Sequence, residues 1–308
     1  MSQPVDSCSS HLPVMVEEVI RYLNIQPGQT IVDGTLGGGG HSRALAHLVG
    51  NHGRVIGLDR DPSAIARAEQ QLTGLPVLVA QASYCELPEI LDEIKCQGVD
   101  GVLLDLGFSS DQLDDPDRGF SFLSDGPLDL RFDPTSGKPA WQLINKLSEN
   151  QIADLIYEFG EERFSRRIAR RIVAQRKSQP LHTARELAEL VRSCVPRSKK
   201  STIDAATRTF QALRIFVNDE LGRLEKALRI LPQCLLPGGT LAIISFHSLE
   251  DRKVKRAFRE HAQLEIVTKK PIVPTTAEQE TNPRSRSAKL RVARRNADDD
   301  NGVQGSTL

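Results

Sequence analysis

The sequence predicts an α/β fold, a Rossmann-like parallel sheet covered by helices and interrupted by an all-helical insertion. Three observations predict it. From Thr30 to Asp105, short β-rich apolar runs alternate with helical segments, as βαβ units do. Between 106 and 217 the alternation stops, and a helical pattern takes over from 140. It resumes with a helix at about 219–231, a Leu236–Gly239 turn and the apolar strand Thr240–Ser245. The chain therefore divides into a discontinuous α/β domain, 1–110 and 212–308, and an inserted, mostly helical domain, 111–211, of a size usual for domains.

In chain order, Thr30–Val32 is a short strand that ends in Asp33 and a glycine cluster, and Ser42–Val49 reads as a helix. Arg54–Leu58 is a second strand ending in Asp59. Asp61 and Pro62 supply a cap and a first-turn proline for a helix to about Leu72. Pro76–Val79 is a third strand, and Val99–Leu104, closed by Asp105, a fourth. Runs so continuously apolar suit strands buried on both faces. Residues 106–137, rich in Gly, Ser, Asp and Pro, read as loop, and the polar stretch from Asp298 as disorder.

Composition narrows the function class. With 39% apolar and 26% charged residues the chain reads as an ordinary globular protein, and no apolar run approaches the ~20 residues that span a bilayer. The polar start carries no signal-peptide pattern. Cys8, Cys85, Cys96, Cys194 and Cys234 form no CxxC pair and have no His at ligand spacing, which points to reduced thiols in the cytoplasm and away from a metal. The zero net charge hides a split: 1–160 carries −13 and 161–308 carries +13. The second half can thus offer a face to a polyanion, unless the halves simply neutralise each other.

The strand–acid–glycine–helix run Asp33–His41 marks a nucleoside-type site, with Gly37, Gly39 and Gly40 letting the backbone approach a ligand closely. Its spacing is not GxGxxG, and the Asp33 carboxylate would repel a pyrophosphate but suit a ligand bearing an ammonium group. This favours S-adenosylmethionine over NAD as cofactor. Asp59, at the next strand end, is placed to accept bonds from ribose hydroxyls. Tyr84 follows the third strand, where its ring can pack on adenine or simply fill the core. Asp105 ends the fourth strand, so Asp105–Ser110 should line the transfer site, with Phe108 and the groups around Asp105 holding an unstacked base. Three acid-free basic clusters follow. The first, 163–177, includes Arg163, Arg166, Arg167 and Arg170; the second is Arg197, Lys199 and Lys200; the third runs from Arg284 and Arg286 to Arg295. Phe164, Ile168 and Ile172 recur every four residues in the first, so one face packs while arginines cover the rest. Together the clusters favour RNA phosphate binding over a merely solvated face.

Further segments extend the match. His11–Val14, Asp33–Ser42, Leu58–Pro62, Leu103–Gly107, Arg118–Phe122, Asp125–Asp129, Ala206–Arg214, Ser245–Arg252 and Asn282–Ser287 stand in order along the chain. In these it resembles the bacterial 16S ribosomal RNA cytosine-N4 methyltransferases, the MraW or RsmH family. The resemblance implies a class I S-adenosylmethionine-dependent methyltransferase fold with an inserted helical substrate domain. It also implies methyl transfer to N4 of a decoding-centre cytidine of 16S rRNA within the small ribosomal subunit. Carried over residue by residue, the family's cofactor positions fall on Gly39, Gly40, His41, Asp59, Tyr84, Asp105 and Gln112. Arg208, Arg214, His247 and Ser248 are then candidates to hold the substrate, with a packed strand-end histidine the competing reading of His247. A homodimer is open, as is a different role, an RNA-binding assembly factor with a vestigial cofactor site. The three acids at strand ends, Asp33, Asp59 and Asp105, argue against that alternative. A methyltransferase acting on a protein or small molecule would not need the basic clusters.

Overall fold

The computed structural model describes residues 12–196 and 204–297. Cys8, His11, the cluster Arg197, Lys199 and Lys200, and the stretch from Asp298 lie outside the described residues. The chain forms two compact units, Met1–Gly107 with Ala227–Leu308, and Phe108–Lys226.

The first unit is built on seven strands: β1 (Thr30–Asp33), β2 (Arg54–Asp59), β3 (Val77–Gln81), β4 (Val99–Asp105), β5 (Leu235–Ser245), β6 (Leu264–Ile266) and β7 (Lys289–Arg295). Their spatial order is β3-β2-β1-β4-β5-β7-β6. β1 to β5 run parallel, and β7 lies antiparallel between β5 and β6. Parallel strands need crossovers, and helices Gly40–Val49, Pro62–Gln71 and Leu87–Glu93 supply them. The order reverses between β1 and β4, the point where open α/β sheets bind ligands beyond their carboxyl ends. Helix Gly40–Val49 and the N-terminal helix Val16–Leu23 pack Leu45, Val49, Val19 and Leu23 with Ile31, Leu103 and Ile244 of the sheet.

Three details differ from the sequence reading. The expected Leu236–Gly239 turn is a bulge inside β5, whose pairing with β4 jumps from Val99–Leu235 to Gly101–Thr240. Most of the third basic cluster is strand β7, which sequence counting takes for a phosphate-binding run. The Arg291 guanidinium there is buried and bonds both carboxylate oxygens of Asp251, at 2.7 and 3.3 Å. The helical unit also extends beyond the expected 111–211. Helix Thr207–Asn218 packs on helix Glu149–Gly160, where Gly160 lies so near the Arg208 carbonyl that a Cβ would come within 2.5 Å of it. Asn218 then donates to the Leu130 carbonyl at 2.7 Å and accepts from Phe132 N at 2.7 Å. The unit therefore ends inside helix Glu220–Cys234.

The second unit is a cluster of helices, Ala140–Lys146, Glu149–Gly160, Ser165–Ser178, Ala184–Cys194 and Thr207–Asn218, around Leu128, Ile144, Ile156, Ile168, Ile172, Leu187 and Leu213. In helix Ser165–Ser178 the buried residues are Ser165, Ile168, Ala169 and Ile172. Burying each of its two isoleucines is worth ~1.5–3 kcal/mol, enough to fix which face looks outward. No helix among the described residues is long and apolar enough to cross a membrane.

Candidate functional site

The loop after β1 forms the floor of the candidate site. Gly34 N donates to the Leu103 carbonyl and Leu36 N to the Leu58 carbonyl, both at 2.9 Å, so the loop is stitched to its two neighbouring strands. Gly34 has no room for a side chain: a Cβ there would stand 2.5 Å from Leu104 Cδ2 and 3.0 Å from Tyr84 Cβ. Gly37 and Gly39 adopt φ of +49° and +76°, the left-handed region that glycine enters freely. Gly40 opens the helix Gly40–Val49 against Pro13.

Asp33 is not the ligand-facing acid that the sequence suggests. It is fully buried; its oxygens accept Ser42 Oγ at 2.7 Å and Thr35 N at 3.3 Å. Burial pushes its carboxyl above the usual range, against the pull of nearby His41 and the Ser42 hydrogen bond. Its work is to brace the loop from below. Asp59 laces the next turn to that loop, accepting Gly37 N at 2.8 Å and Asp61 N at 2.9 Å. Burial raises its carboxyl too, opposed by those two hydrogen bonds. Asp61 caps helix Pro62–Gln71 by accepting Ser63 N at 3.0 Å. Tyr84, half-buried, opens the short helical turn after β3, which Ser83 and Glu86 close with a reciprocal cap.

Asp105 is the acid left available at the sheet edge. One carboxylate oxygen, Oδ1, is buried without a hydrogen-bond partner, and Oδ2 stands 3.8 Å from His41 Nδ1. Burial pushes its carboxyl up to about 6; His41 and Arg284 pull it down, while Asp33 and Glu250 push it further up. The His41 ring is itself buried, with Nε2 2.9 Å from the Val14 carbonyl. A carbonyl only accepts, so Nε2 carries the hydrogen. An unpartnered carboxylate oxygen beside a glycine loop that excludes Cβ atoms fits a cationic, phosphate-free nucleoside. S-adenosylmethionine, with its ammonium and sulfonium, is such a ligand.

His247 corrects the sequence reading in the other direction. It caps helix Ser248–Glu260, its Nδ1 accepting Glu250 N at 3.4 Å and its Nε2 3.2 Å from Glu250 Oε1. Glu250 reciprocates by accepting Phe246 N at 2.9 Å and His247 N at 3.3 Å. With only 7% of its side chain exposed, His247 is packed as a cap, its Nε2 buried without a hydrogen-bond partner. Arg284 is half-buried and Arg286 exposed in the turn before β7.

In the helical unit, Arg163, Arg166, Arg167 and Arg170 all stand exposed. The Arg163 guanidinium lies 4.6 Å from the Phe164 ring centre. Arg166 reaches Asp154 at 3.9 Å and Arg170 reaches Glu149 at 3.7 Å, with 74% and 77% of the arginine side chains in solvent. Contacts so long and wet hold little energy, and phosphates can displace them. Arg208 is likewise outward, 3.8 Å from Glu162. Arg214 is not. It is buried, clamped on both Glu220 oxygens at 2.8 and 2.9 Å, with its guanidinium over the Phe108 ring at 5.2 Å. An RNA contact would have to strip that pair, so its assignment to RNA fails. Phe108 is itself engaged, stacked on Phe120 at 5.3 Å, which stacks on Phe132 at 5.9 Å. Gln112 closes a capping box with Ser109 at the start of helix Ser110–Asp114.

Sequence reasoning on the residues alone passed over Leu12–Met15, whose Val14 carbonyl meets His41, and over Glu278 and Asn282, which bond Met15 and Leu12. Their partners lie 263 and 270 residues away along the chain, so no local pattern reveals them.

The profile of the MraW methylase family matches residues 8–296. The chain is 51% identical over 298 residues to ribosomal RNA small subunit methyltransferase H of Rhodopirellula baltica, covering 93% of this chain and 92% of that protein. It is 50% identical over 289 residues to the protein of the same name in Deinococcus radiodurans, covering 94% and 90%. Among solved structures, an rRNA methylase from Streptococcus thermophilus aligns with 10% identity and TM-score 0.45 over 93% of this chain and 99% of that one. A SAM-dependent methyltransferase from Aquifex aeolicus aligns with 12% identity and TM-score 0.41 over 91% and 89%. With a family profile spanning nearly the whole sequence and relatives half identical along it, the chain belongs to the MraW methylase family.

Proposed function

We propose that this enzyme transfers the methyl group of S-adenosylmethionine to N4 of a decoding-centre cytidine of 16S rRNA in the small ribosomal subunit, acting in the cytoplasm. Membership of a methylase family with this sheet order makes it an S-adenosylmethionine-dependent methyltransferase. The acceptor is supported by its relatives' shared name and by the exposed arginine face of helix Ser165–Ser178. The observation that carries the donor half is the unpartnered Asp105 oxygen at the switch point.

In this reading the glycine loop 37–40 admits the cofactor's backbone-close portion, Asp59 takes the ribose hydroxyls, Tyr84 borders the adenine, and Asp105 holds the cationic end. Once bound, the cofactor supplies an electrophilic methyl on a positive sulfur. The protein's contribution is then alignment, since bringing an amine nitrogen to that methyl within a fixed geometry lowers the barrier by several kcal/mol of entropy. No side chain need remove the amine proton first; it leaves after transfer. Arg163, Arg166, Arg167, Arg170 and Arg208 are assigned to rRNA phosphates, as are Arg286 and Arg284, the latter also acting on Asp105.

Purified enzyme incubated with small-subunit particles from cells lacking it should produce N4-methylcytidine, read by nucleoside mass spectrometry. Absence of that nucleoside while the protein binds cofactor would sink the acceptor assignment. Label in protein, or no transfer at all, would favour a protein methylase or an assembly factor respectively.

A further inference from the structure

We propose that Leu12–Met15 is a strap that holds His41 against Asp105, and that Glu278 and Asn282, which tie the strap down, are positioning residues for the methyl-donor site. The proposal rests on the reading of that site given above.

Four successive residues each carry a contact. The Leu12 carbonyl accepts Asn282 Nδ2 at 3.0 Å. Pro13 lies against Gly40, where a Cβ would meet its ring atoms at 3.0–3.2 Å. The Val14 carbonyl takes His41 Nε2 at 2.9 Å, and Met15 N donates to Glu278 Oε1 at 2.7 Å. Leu12 is exposed, but Val14 and Met15 are buried at 2% and 1%. Met15 also sits at φ 55°, ψ 38°, a left-handed conformation that a non-glycine residue keeps only where its surroundings impose it. The buried side chain and the Glu278 bond impose it here.

The consequence runs through the imidazole. A ring whose Nε2 must donate to a fixed carbonyl has one tautomer and one orientation, and that orientation points Nδ1 at Asp105. The segment that anchors the strap also carries Arg284, two residues beyond Asn282. Ser285 locks this turn by donating Oγ to the Asn282 carbonyl at 2.8 Å. The charged and titratable groups acting on Asp105 are His41, Arg284, Asp33 and Glu250. Arg284, and His41 when its ring is protonated, favour the ionised form, and both are placed by one short stretch, 278–285. Cutting the strap should loosen His41, leave Asp105 without its fixed neighbour, and weaken its grip on a cationic ligand.

The test uses full-length protein titrated with S-adenosylhomocysteine by calorimetry, with the His41 ring nitrogens followed by NMR. Asn282→Ala and Glu278→Ala should each weaken binding about 3- to 10-fold, the scale of one lost hydrogen bond, and shift His41 from a single Nε2-protonated tautomer to an exchanging mixture. Glu278→Gln keeps an oxygen for Met15 N and should retain wild-type affinity. In a His41→Gln background, Asn282→Ala should add less than about a twofold loss, because the strap acts through the ring. Wild-type affinity and an unchanged His41 tautomer in both alanine variants would overturn the proposal, whatever their melting temperatures. So would a full additive loss in the His41→Gln background. Should Asn282→Ala not fold, the Glu278→Ala and Glu278→Gln pair makes the same comparison. A wild-type protein that binds no S-adenosylhomocysteine would instead overturn the donor-site reading, and the His41 tautomer in the variants would still decide the strap.

Discussion

Asp105→Asn should stabilise the protein at neutral and alkaline pH while removing cofactor binding. Burial holds the Asp105 carboxyl up to about 6, against an ordinary 3.8, because one oxygen has no partner and the other has only His41 at 3.8 Å. A raised acid binds its proton more tightly folded than unfolded, so it lowers stability as pH rises. The sign is therefore fixed: no penalty below about pH 4, a growing one between about 4 and 6, and the whole of it above. Moving a carboxyl from 3.8 to about 6 corresponds to roughly 3 kcal/mol. Asparagine carries no charge to desolvate, so at pH 8 the variant should melt about 6 °C higher, taking ~2 °C per kcal/mol for a protein of this size. At pH 4 the two proteins should melt together. Thermal melts from pH 4 to 8, with S-adenosylhomocysteine titrations at pH 8, measure both halves. A variant that melts at or below the wild type at pH 8, with no pH trend between them, refutes the reasoning. So does one that keeps its cofactor affinity.

Four further outcomes follow from the same geometry. Replacing Arg166, Arg167 and Arg170 together by Gln should flatten the log–log salt dependence of RNA binding by roughly 0.7–0.9 for each phosphate no longer neutralised, and an unchanged slope would make that helix a solvated face. Arg214→Gln takes the guanidinium away from buried Glu220 and should cost about 3–5 kcal/mol in denaturant unfolding with no change in that slope; a change in slope with normal stability would reverse the assignment. Gly34→Ala forces a Cβ to 2.5 Å from Leu104 Cδ2, so it should destabilise by ~1–3 kcal/mol and reduce cofactor affinity, both absent if the loop can shift freely. Asp59→Ala should weaken calorimetric S-adenosylhomocysteine binding by at least about tenfold, since it removes the proposed ribose acceptor and the brace on Gly37 N; unchanged affinity removes that role.

The parallel core was legible because each of its signals is local. Thr30–Val32, Arg54–Leu58 and Val99–Leu104 are apolar enough to declare buried strands, and Asp61-Pro62 declares a helix start within two residues. The antiparallel end was not. Strand β7 buries Leu290, Arg291, Val292 and Ala293 as one run between Lys289 and the exposed Arg294, and a count of positive charges hides that buried run. Its neutralising partner Asp251 lies 40 residues upstream, beyond any window that reads composition. Asp33, Asp59 and Asp105 look alike in the sequence, each an acid at the end of a strand. What separates them is how many donors the fold brings to each: Asp33 and Asp59 have both oxygens accepting hydrogen bonds, Asp105 has one left unpartnered. Asp105 alone of the three offers an oxygen that accepts no hydrogen bond within the fold.

Among the basic residues, the same kind of difference is written in helical spacing. Arg166, Arg167, Arg170 and Arg171 flank Ile168 and Ile172 on helix Ser165–Ser178, so once the isoleucines turn inward the arginines must face water. Arg214 stands four residues after buried Phe210 and four before buried Asn218, which puts it on the inward stripe of helix Thr207–Asn218. Helical spacing thus predicts burial for Arg214 and exposure for the first group, against a charge count that treats them alike. A buried guanidinium requires a carboxylate, and Glu220 stands six residues on to supply it. For a chain whose halves differ so strongly in sign, phase along each helix therefore decides which cations can meet RNA. Arginine number decides only how strongly the exposed ones will bind it.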